Sequence, residues 1–110
     1  MTDLEQVEIQ IEMANKLRKL RDNCVKLTAN KAWKDVIDEG YFKEEAARLV
    51  MAKSSNLNAE QMELIDRMQY GIVALANYIE SVMRRGAEMD QALDEHEETR
   101  EEILAEEVNT

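Results

Sequence analysis

The chain has 110 residues, a length that fits one domain, and its 24 acidic and 14 basic residues give a net charge of −10. It contains no proline and three glycines, and 35% of its residues are charged, which is typical of long helices and argues against a sheet protein. The single cysteine excludes an internal disulfide and favours a reducing compartment, the negative charge argues against binding nucleic acid, and no apolar run is long enough to predict a membrane span.

The first predicted helix runs from about residue 3 to residue 28. Thr2 and Glu5 have the spacing of a capping box, which satisfies free amides at a helix start. An apolar stripe then recurs at alternating steps of three and four, with one slip of a position between Ala14 and Leu17. Its members are Leu4, Val7, Ile11, Ala14, Leu17, Leu20, Cys24 and Leu27. The charges divide along the helix, because residues 3–12 are acidic and residues 16–34 are mostly basic.

Two short helices are predicted next, over residues 31–39 and 42–53. The side chain of Asn30 can cap the first, and Gly40 stands where a left-handed residue would close it. An aromatic corner is expected to lock the two helices together, although such residues also serve as interface anchors. The aromatic residues are Trp33, Tyr41 and Phe42.

The last predicted helix is the longest and runs from residue 59 to about residue 107. Asn58 and Gln61 provide a second capping pair at its start. An apolar stripe follows over four heptads and predicts a partner helix along its length, so we expect the chain to self-associate through this face. The interface residues are Ile65, Met68, Ile72, Leu75, Ile79, Val82, Met89 and Leu93. Gly86 lies on the same stripe, where it allows either a close helix approach or a bend or break.

The predicted fold is therefore all-α, with the two long helices clasping the two short ones. Residues 1–93 are expected to form the body, and residues 94–110 an acidic tail with eight carboxylates against Arg100. Because neighbouring acids repel one another, we expect the isolated tail to fray and its deletion to leave the melting temperature of the body nearly unchanged. The tail should order only against bases, either those of residues 16–34 of another copy or those of a basic partner. Its expected contact residues are Glu101, Glu102, Ile103, Leu104 and Val108.

His96 and Cys24 are the two candidate chemical side chains, and the sequence favours a structural role for both. His96 is the only histidine, and a two-metal helical site would need a Glu-x-x-His on each of two helices, so a solvated helix face is expected. Cys24 has no base nearby in the sequence to activate it and is expected to be buried. Phosphate-binding glycine loops, catalytic triads and paired-cysteine motifs are missing from the sequence. We expect no catalytic residue, cofactor or metal, and hence no enzyme.

The segment Asn30–Val50 reads NKAWKDVIDEGYFKEEAARLV. It resembles a pattern in small acidic helical proteins of tailed bacteriophages, in which Val/Ile-Ile, Gly-Tyr-Phe, Glu-Ala and Arg-Leu elements follow a charged helix. The resemblance covers about residues 4–80 and does not include the acidic tail. It implies a phage protein with a role in the virion or its assembly, and it carries no catalytic residues.

Two functions follow as hypotheses. The first is a structural or assembly protein that forms homo-oligomers and docks a basic partner through its acidic tail. That partner would be a capsid, portal or scaffold protein, or a host protein, met in the host cytoplasm during infection or in the virion. The alternative is an acidic inhibitor or nucleic-acid mimic that binds a host nuclease or polymerase. A mimic needs carboxylates spread over a rigid surface, and neither function involves a membrane or direct binding of nucleic acid.

Overall fold

The computed structural model describes residues 2–109, and all regular secondary structure among them is helical. This confirms the all-α prediction and both long helices. The helices are α1 (Asp3–Ala29), α2 (31–53) and α3 (Ala59–Asn109). No helix in this part of the chain combines the length and apolar character needed to cross a membrane.

The three helix starts are capped as the sequence predicts. Thr2 Oγ1 accepts a hydrogen bond of 3.1 Å from the Glu5 amide. Asn58 Oδ1 accepts one of 2.8 Å from the Gln61 amide, and Gln61 Oε1 accepts one of 3.0 Å from the Asn58 amide. Asn30 Oδ1 accepts one of 2.8 Å from the amide two residues later. These bonds satisfy amides that a helix start otherwise leaves without partners.

Helix α2 corrects the prediction of two short helices separated at Gly40. It consists of an α-helical turn (Lys31–Trp33), a π-helical segment (Lys34–Glu45) and a further α-helix (Ala46–Lys53), with no break between them. None of the glycines in residues 2–109 has a positive φ, so Gly40 does not close a helix. In a π-helix each amide bonds to the carbonyl five residues earlier, and this geometry accommodates the five-residue apolar step from Ile37 to Phe42.

The described residues group into two compact units. The terminal unit joins the described part of Met1–Val25 to that of Ser81–Thr110, and the central unit is Lys26–Glu80. The predicted boundary between residues 93 and 94 does not coincide with this division, because the segment after residue 93 belongs to the same unit as the start of α1. The predicted clasping of short helices by long ones stays a prediction.

Each unit has its own apolar core. The terminal cluster consists of buried Val7, Ile11, Ala14 and Leu93, and half-buried Leu4, Met89 and Ile103 pack against it. The central core contains Leu49, Ile65 and Ile72, with Tyr41, Phe42, Ala46, Ala52 and Leu57 around them. The rings of Tyr41 and Phe42 are 5.9 Å apart between centroids and tilted by 40°. Burial of these side chains, rather than intrinsic helix propensity, supplies most of the stability of such helices.

Candidate interaction surfaces

The predicted apolar stripe on α3 is largely covered by the chain itself. Ile65 and Ile72 lie in the central core, whereas Leu93 lies in the terminal cluster. Across the stripe, Ile65, Ile72, Val82 and Leu93 are buried, Leu75, Ile79 and Met89 are half-buried, and Met68 is exposed. Self-association through this face stays a prediction, and little apolar surface remains there to drive it.

In the terminal unit, the residues of α1 that contact α3 recur at regular helical spacing. The slip in the apolar pattern between Ala14 and Leu17 does not interrupt this contact. The steps of three and four that lead to Ala14 continue to Arg18 and Arg21. These arginines face α3, whereas Leu17 is only half-buried and Leu20 is exposed. Leu20 therefore does not enter the contact with α3. The two arginines take its place, because α3 has space and negative charge opposite them.

The space for the Arg21 side chain exists because the facing residue on α3 is a glycine, Gly86, which is buried. A Cβ atom added there would lie 2.2 Å from Arg21 Cβ and 2.4 Å from Arg21 Cγ. Real Cβ atoms essentially never come so close to another atom, so only glycine fits this contact. Of the two alternatives predicted for Gly86, the close helix approach is confirmed, and α3 continues through this position as a helix.

The negative charge that faces the two arginines belongs to Asp90, one turn after Gly86 on α3. Arg21 Nη1 donates to Asp90 Oδ2 at 2.8 Å and Nη2 donates to Oδ1 at 3.1 Å, a two-pronged pair that matches guanidinium to carboxylate. Arg18 Nε lies 2.9 Å from Asp90 Oδ1 in an ion pair, and Arg21 Nε donates to Asp22 Oδ1 at 2.8 Å. The Arg21 side chain is only 18% exposed. A polar layer of this kind holds two helices in one register.

These contacts also shift the protonation of the groups that form them. The hydrogen bonds from Arg21 hold the pKa of Asp90 below its ordinary value of 3.8, and the charges of Arg21 and Arg18 act in the same direction. The hydrogen bond to Asp90 raises the pKa of Arg21, with a second contribution from Asp22. The layer therefore remains an ion pair throughout the neutral range.

The sequence interpretation missed this layer, although a signal for it was present. The spacing that places Val7, Ile11 and Ala14 on one face also places Arg18 and Arg21 there. An arginine stem can pack along an apolar contact while its charged end finds a carboxylate. Recognising it required pairing the arginines with a glycine and an aspartate far along the chain.

A second surface forms where the first turns of α1 meet the last turns of α3. Leu4 and Ile103 pack on the same terminal cluster, so the two helix ends lie side by side. A shallow open groove runs between them, lined by Asp3, Gln6, Val7, Gln10, Thr99 and Ile103. We call residues 3–12 and 94–107 together the acidic end.

The acidic end carries the whole net charge of the protein. Residues 3–12 contain four carboxylates, and residues 94–107 contain eight against Arg100 as the only lysine or arginine, an excess of eleven negative charges. Residues 16–93 contain twelve acidic and thirteen basic residues and nearly balance. Of the predicted tail contacts, Glu101, Glu102, Leu104 and Val108 are exposed and Ile103 is half-buried.

Cys24 and His96, the two candidate chemical side chains, have ordinary surroundings. Cys24 is buried and forms no disulfide, and His96 is half-buried on α3. Within residues 2–109 there is no group of three or more histidine, cysteine, aspartate or glutamate side chains that could hold a metal ion.

Comparisons of the chain with protein-family models, with curated proteins and with solved structures found no match.

Proposed function

We propose that this protein is a non-enzymatic helical assembly protein of a tailed bacteriophage that docks a basic protein partner through its acidic end. The observation that carries the docking role is the concentration of all net negative charge on two adjacent helix ends. The phage assignment is supported only by the resemblance of segment Asn30–Val50.

The acidic end is electrostatically unfavourable in the free protein. Acids three and four residues apart repel one another, and those at the end of α3 also meet the negative pole of the helix dipole. A basic partner relieves both effects by neutralising the carboxylates, so the same charges that weaken the isolated helix ends favour the complex. This attraction is screened by salt, because the carboxylates lie at the surface.

The proposed partner is a protein, and the candidates are a capsid, portal or scaffold protein of the phage, or a host protein. The encounter would take place in the host cytoplasm during infection, or within the virion. Self-association belongs to the proposal as well. The chain itself covers most of the apolar stripe on α3, so little apolar surface remains there to drive it.

A second candidate function is inhibition of a host nuclease or polymerase by mimicry of nucleic acid. One observation favours it, because the carboxylates occupy two helices side by side rather than a single tail. Such a surface presents charge in two rows, as a duplex does with its phosphates. The two functions differ in what competes with binding, since DNA should displace a mimic from its enzyme.

The test is affinity capture from bacterial lysates, prepared with and without phage infection, using three versions of the protein. The acidic-end variant carries Glu101→Gln and Glu102→Gln. The matched control carries Asp35→Asn and Glu44→Gln, which remove the same charge from exposed positions outside the acidic end. We expect the native protein and the control to capture the same partner and release it in high salt, and the acidic-end variant to lose it.

The identity of the captured partner separates the two functions. A capsid, portal or scaffold protein supports assembly, whereas a nuclease or polymerase that DNA releases supports inhibition. Equal capture by all three versions would show that the acidic end is not the docking surface.

A further inference from the structure

Helix α1 carries a second apolar stripe on the side away from the terminal cluster. Ile9, Met13 and Leu20 are 43%, 60% and 42% exposed, and none belongs to either core. Their spacings of four and seven residues place them along one line on the helix. At about 100° per residue this line lies on the opposite side of α1 from Val7 and Ile11. The stripe is therefore an apolar face that this chain does not cover.

A charge pattern runs along one edge of this face. Glu5, Glu12, Lys19 and Lys26 recur at intervals of seven residues, so two acids are followed by two bases along the same edge. All four side chains are exposed. No ion pair engages any of them within the part of the chain that the structure describes.

We propose that α1 of one copy pairs in antiparallel fashion with α1 of a second copy through this face. A two-fold axis then sets Glu12 of each copy beside Lys19 of the other, and the same register sets Glu5 beside Lys26. Residue numbers rise along one helix of an antiparallel pair as they fall along the other. One register therefore gives both pairings, because the two residue numbers in each pair have the same sum. The dimer thus contains four opposite-charge pairs along its edges.

The same register also pairs the apolar residues. It sets Ile9 of each copy against Leu20 of the other, and Met13 against the aliphatic stem of Lys16. A parallel pairing would instead bring the acidic halves of the two helices together and the basic halves together, which like-charge repulsion disfavours. The charge pattern therefore selects both the partner, a second copy, and its direction.

The dimer should be weak and dependent on concentration. Only Ile9, Met13 and Leu20 pair in this register, and Lys16 stands between Met13 and Leu20. Leu27, which is 50% exposed, continues the line but lies opposite Thr2 of the other copy. Polar residues at such positions specify register at a cost in stability. An antiparallel pair directs the two acidic ends away from each other, so the dimer could dock two basic sites at once. That last consequence rests on the proposed docking function, but the pairing itself does not.

Charge reversal across the axis tests the proposal. Sedimentation equilibrium from about 5 to about 200 µM, a range suited to a small and weak interface, would compare the native protein with Glu12→Lys, Lys19→Glu and the variant carrying both changes. Each single reversal places like charges opposite one another at two symmetric positions. It should therefore raise the dimer dissociation constant by about tenfold. The double reversal recreates both opposite-charge pairs and should restore the native value.

Two further variants control for changes unrelated to the face. Glu44→Lys makes the same charge change as Glu12→Lys at an exposed position outside α1, and should leave the dimer unchanged. Leu20→Asp should abolish the dimer while the helical circular dichroism is retained, because Leu20 packs in neither core.

Three results would overturn the pairing: a monomer over the whole concentration range, a dimer that persists in Leu20→Asp, or a double reversal no better than the single ones. The docking function is judged separately by partner capture. A monomer that still captures a basic partner rejects the pairing and the proposed self-association but keeps the docking function, and a dimer that follows the charge rules but captures nothing rejects the docking function alone.

Discussion

Gly86 on α3 lies so close to Arg21 on α1 that a Cβ atom on the glycine would fall 2.2 Å from Arg21 Cβ. The requirement for glycine is spatial, because no glycine in residues 2–109 has a positive φ. The arginine stem occupies the space that a side chain would need, and its guanidinium reaches Asp90 one turn further along α3. Space and charge together decide which turn of α1 faces which turn of α3 in the terminal unit.

We expect Gly86→Ala to destabilise the protein by about 1–3 kcal/mol, the usual cost of overpacking. The added methyl group would meet Arg21 Cγ and also Arg21 Cβ, which no side-chain rotation can move away. This clash should outweigh the gain of about 1 kcal/mol in helix propensity that alanine normally brings. Urea unfolding followed by circular dichroism measures the difference.

The matched control is Gly71→Ala, the same substitution on the same helix. There the added Cβ would lie 3.3 Å from Tyr41 Oη, the end of a side chain that can shift slightly. We expect the free energy of unfolding to stay the same or to rise by up to about 1 kcal/mol. If both alanine variants stabilise the protein equally, the close contact between Gly86 and Arg21 does not exist in solution.

The Asp90 layer predicts a specific dependence of stability on pH. Because the pKa of Asp90 is lowered in the folded protein, its ion pairs contribute stability above the ordinary value of 3.8 and lose it as the pH falls through the lower folded-state pKa. Asp90→Asn should therefore destabilise the protein at neutral pH, and the difference should disappear in acid. Carboxyl NMR titration measures the pKa directly, and Asp35→Asn is an exposed control. An Asp90 pKa at or above 3.8 would contradict the layer.

The sequence predicts a feature of this structure well when that feature is decided by contacts between residues close together in the chain. The helix starts at Thr2, Asn30 and Asn58 are settled by side chains within three residues, and all three were predictable. The course of α2 was not, because the five-residue step from Ile37 to Phe42 suits a break at Gly40 as well as a π-helical turn. Local spacing alone does not distinguish these outcomes.

The interaction surfaces are less predictable from the sequence than the helices are. An apolar stripe shows that a face must be covered, but it does not say whether the cover is the same chain or another copy. For that reason the stripe on α3 suggested an oligomer, although Ile65, Ile72 and Leu93 contact their own chain. Arg18 and Arg21 are not predictable contacts from an apolar pattern, because that pattern does not include arginine stems that pack between helices. The acidic end depends on the meeting of two segments more than eighty residues apart in sequence.

Trp33 offers a test of the π-helical segment. Its Nε1 donates to Asp38 Oδ1 at 3.1 Å across five residues, and it is the only tryptophan in the chain. We expect Asp38→Ala to cost about 1 kcal/mol and to change the tryptophan emission, because the partly buried indole loses its hydrogen bond. Asp35→Ala removes an exposed carboxylate from the same segment and should change neither. Identical emission spectra for all three proteins would show that the bond is not formed.

Ile103 lies in the segment that the charge pattern predicts to be a separate tail. Because Ile103 packs against the terminal cluster, Ile103→Ala should lower the free energy of unfolding by about 1–2 kcal/mol, less than a fully buried isoleucine would cost. The neighbouring Leu104 is 43% exposed, and Leu104→Ala should cost less than about 0.5 kcal/mol.

Deleting residues 94–110 should then lower the melting temperature, contrary to the expectation from the charge pattern. The deletion also removes repulsion among the acids, but that repulsion amounts to only a few tenths of a kcal/mol per pair and is reduced by salt. Loss of the Ile103 contact should therefore dominate, most clearly in high salt. If the truncated protein melts at the native temperature in both low and high salt, the segment is an independent extension and contributes nothing to the terminal unit.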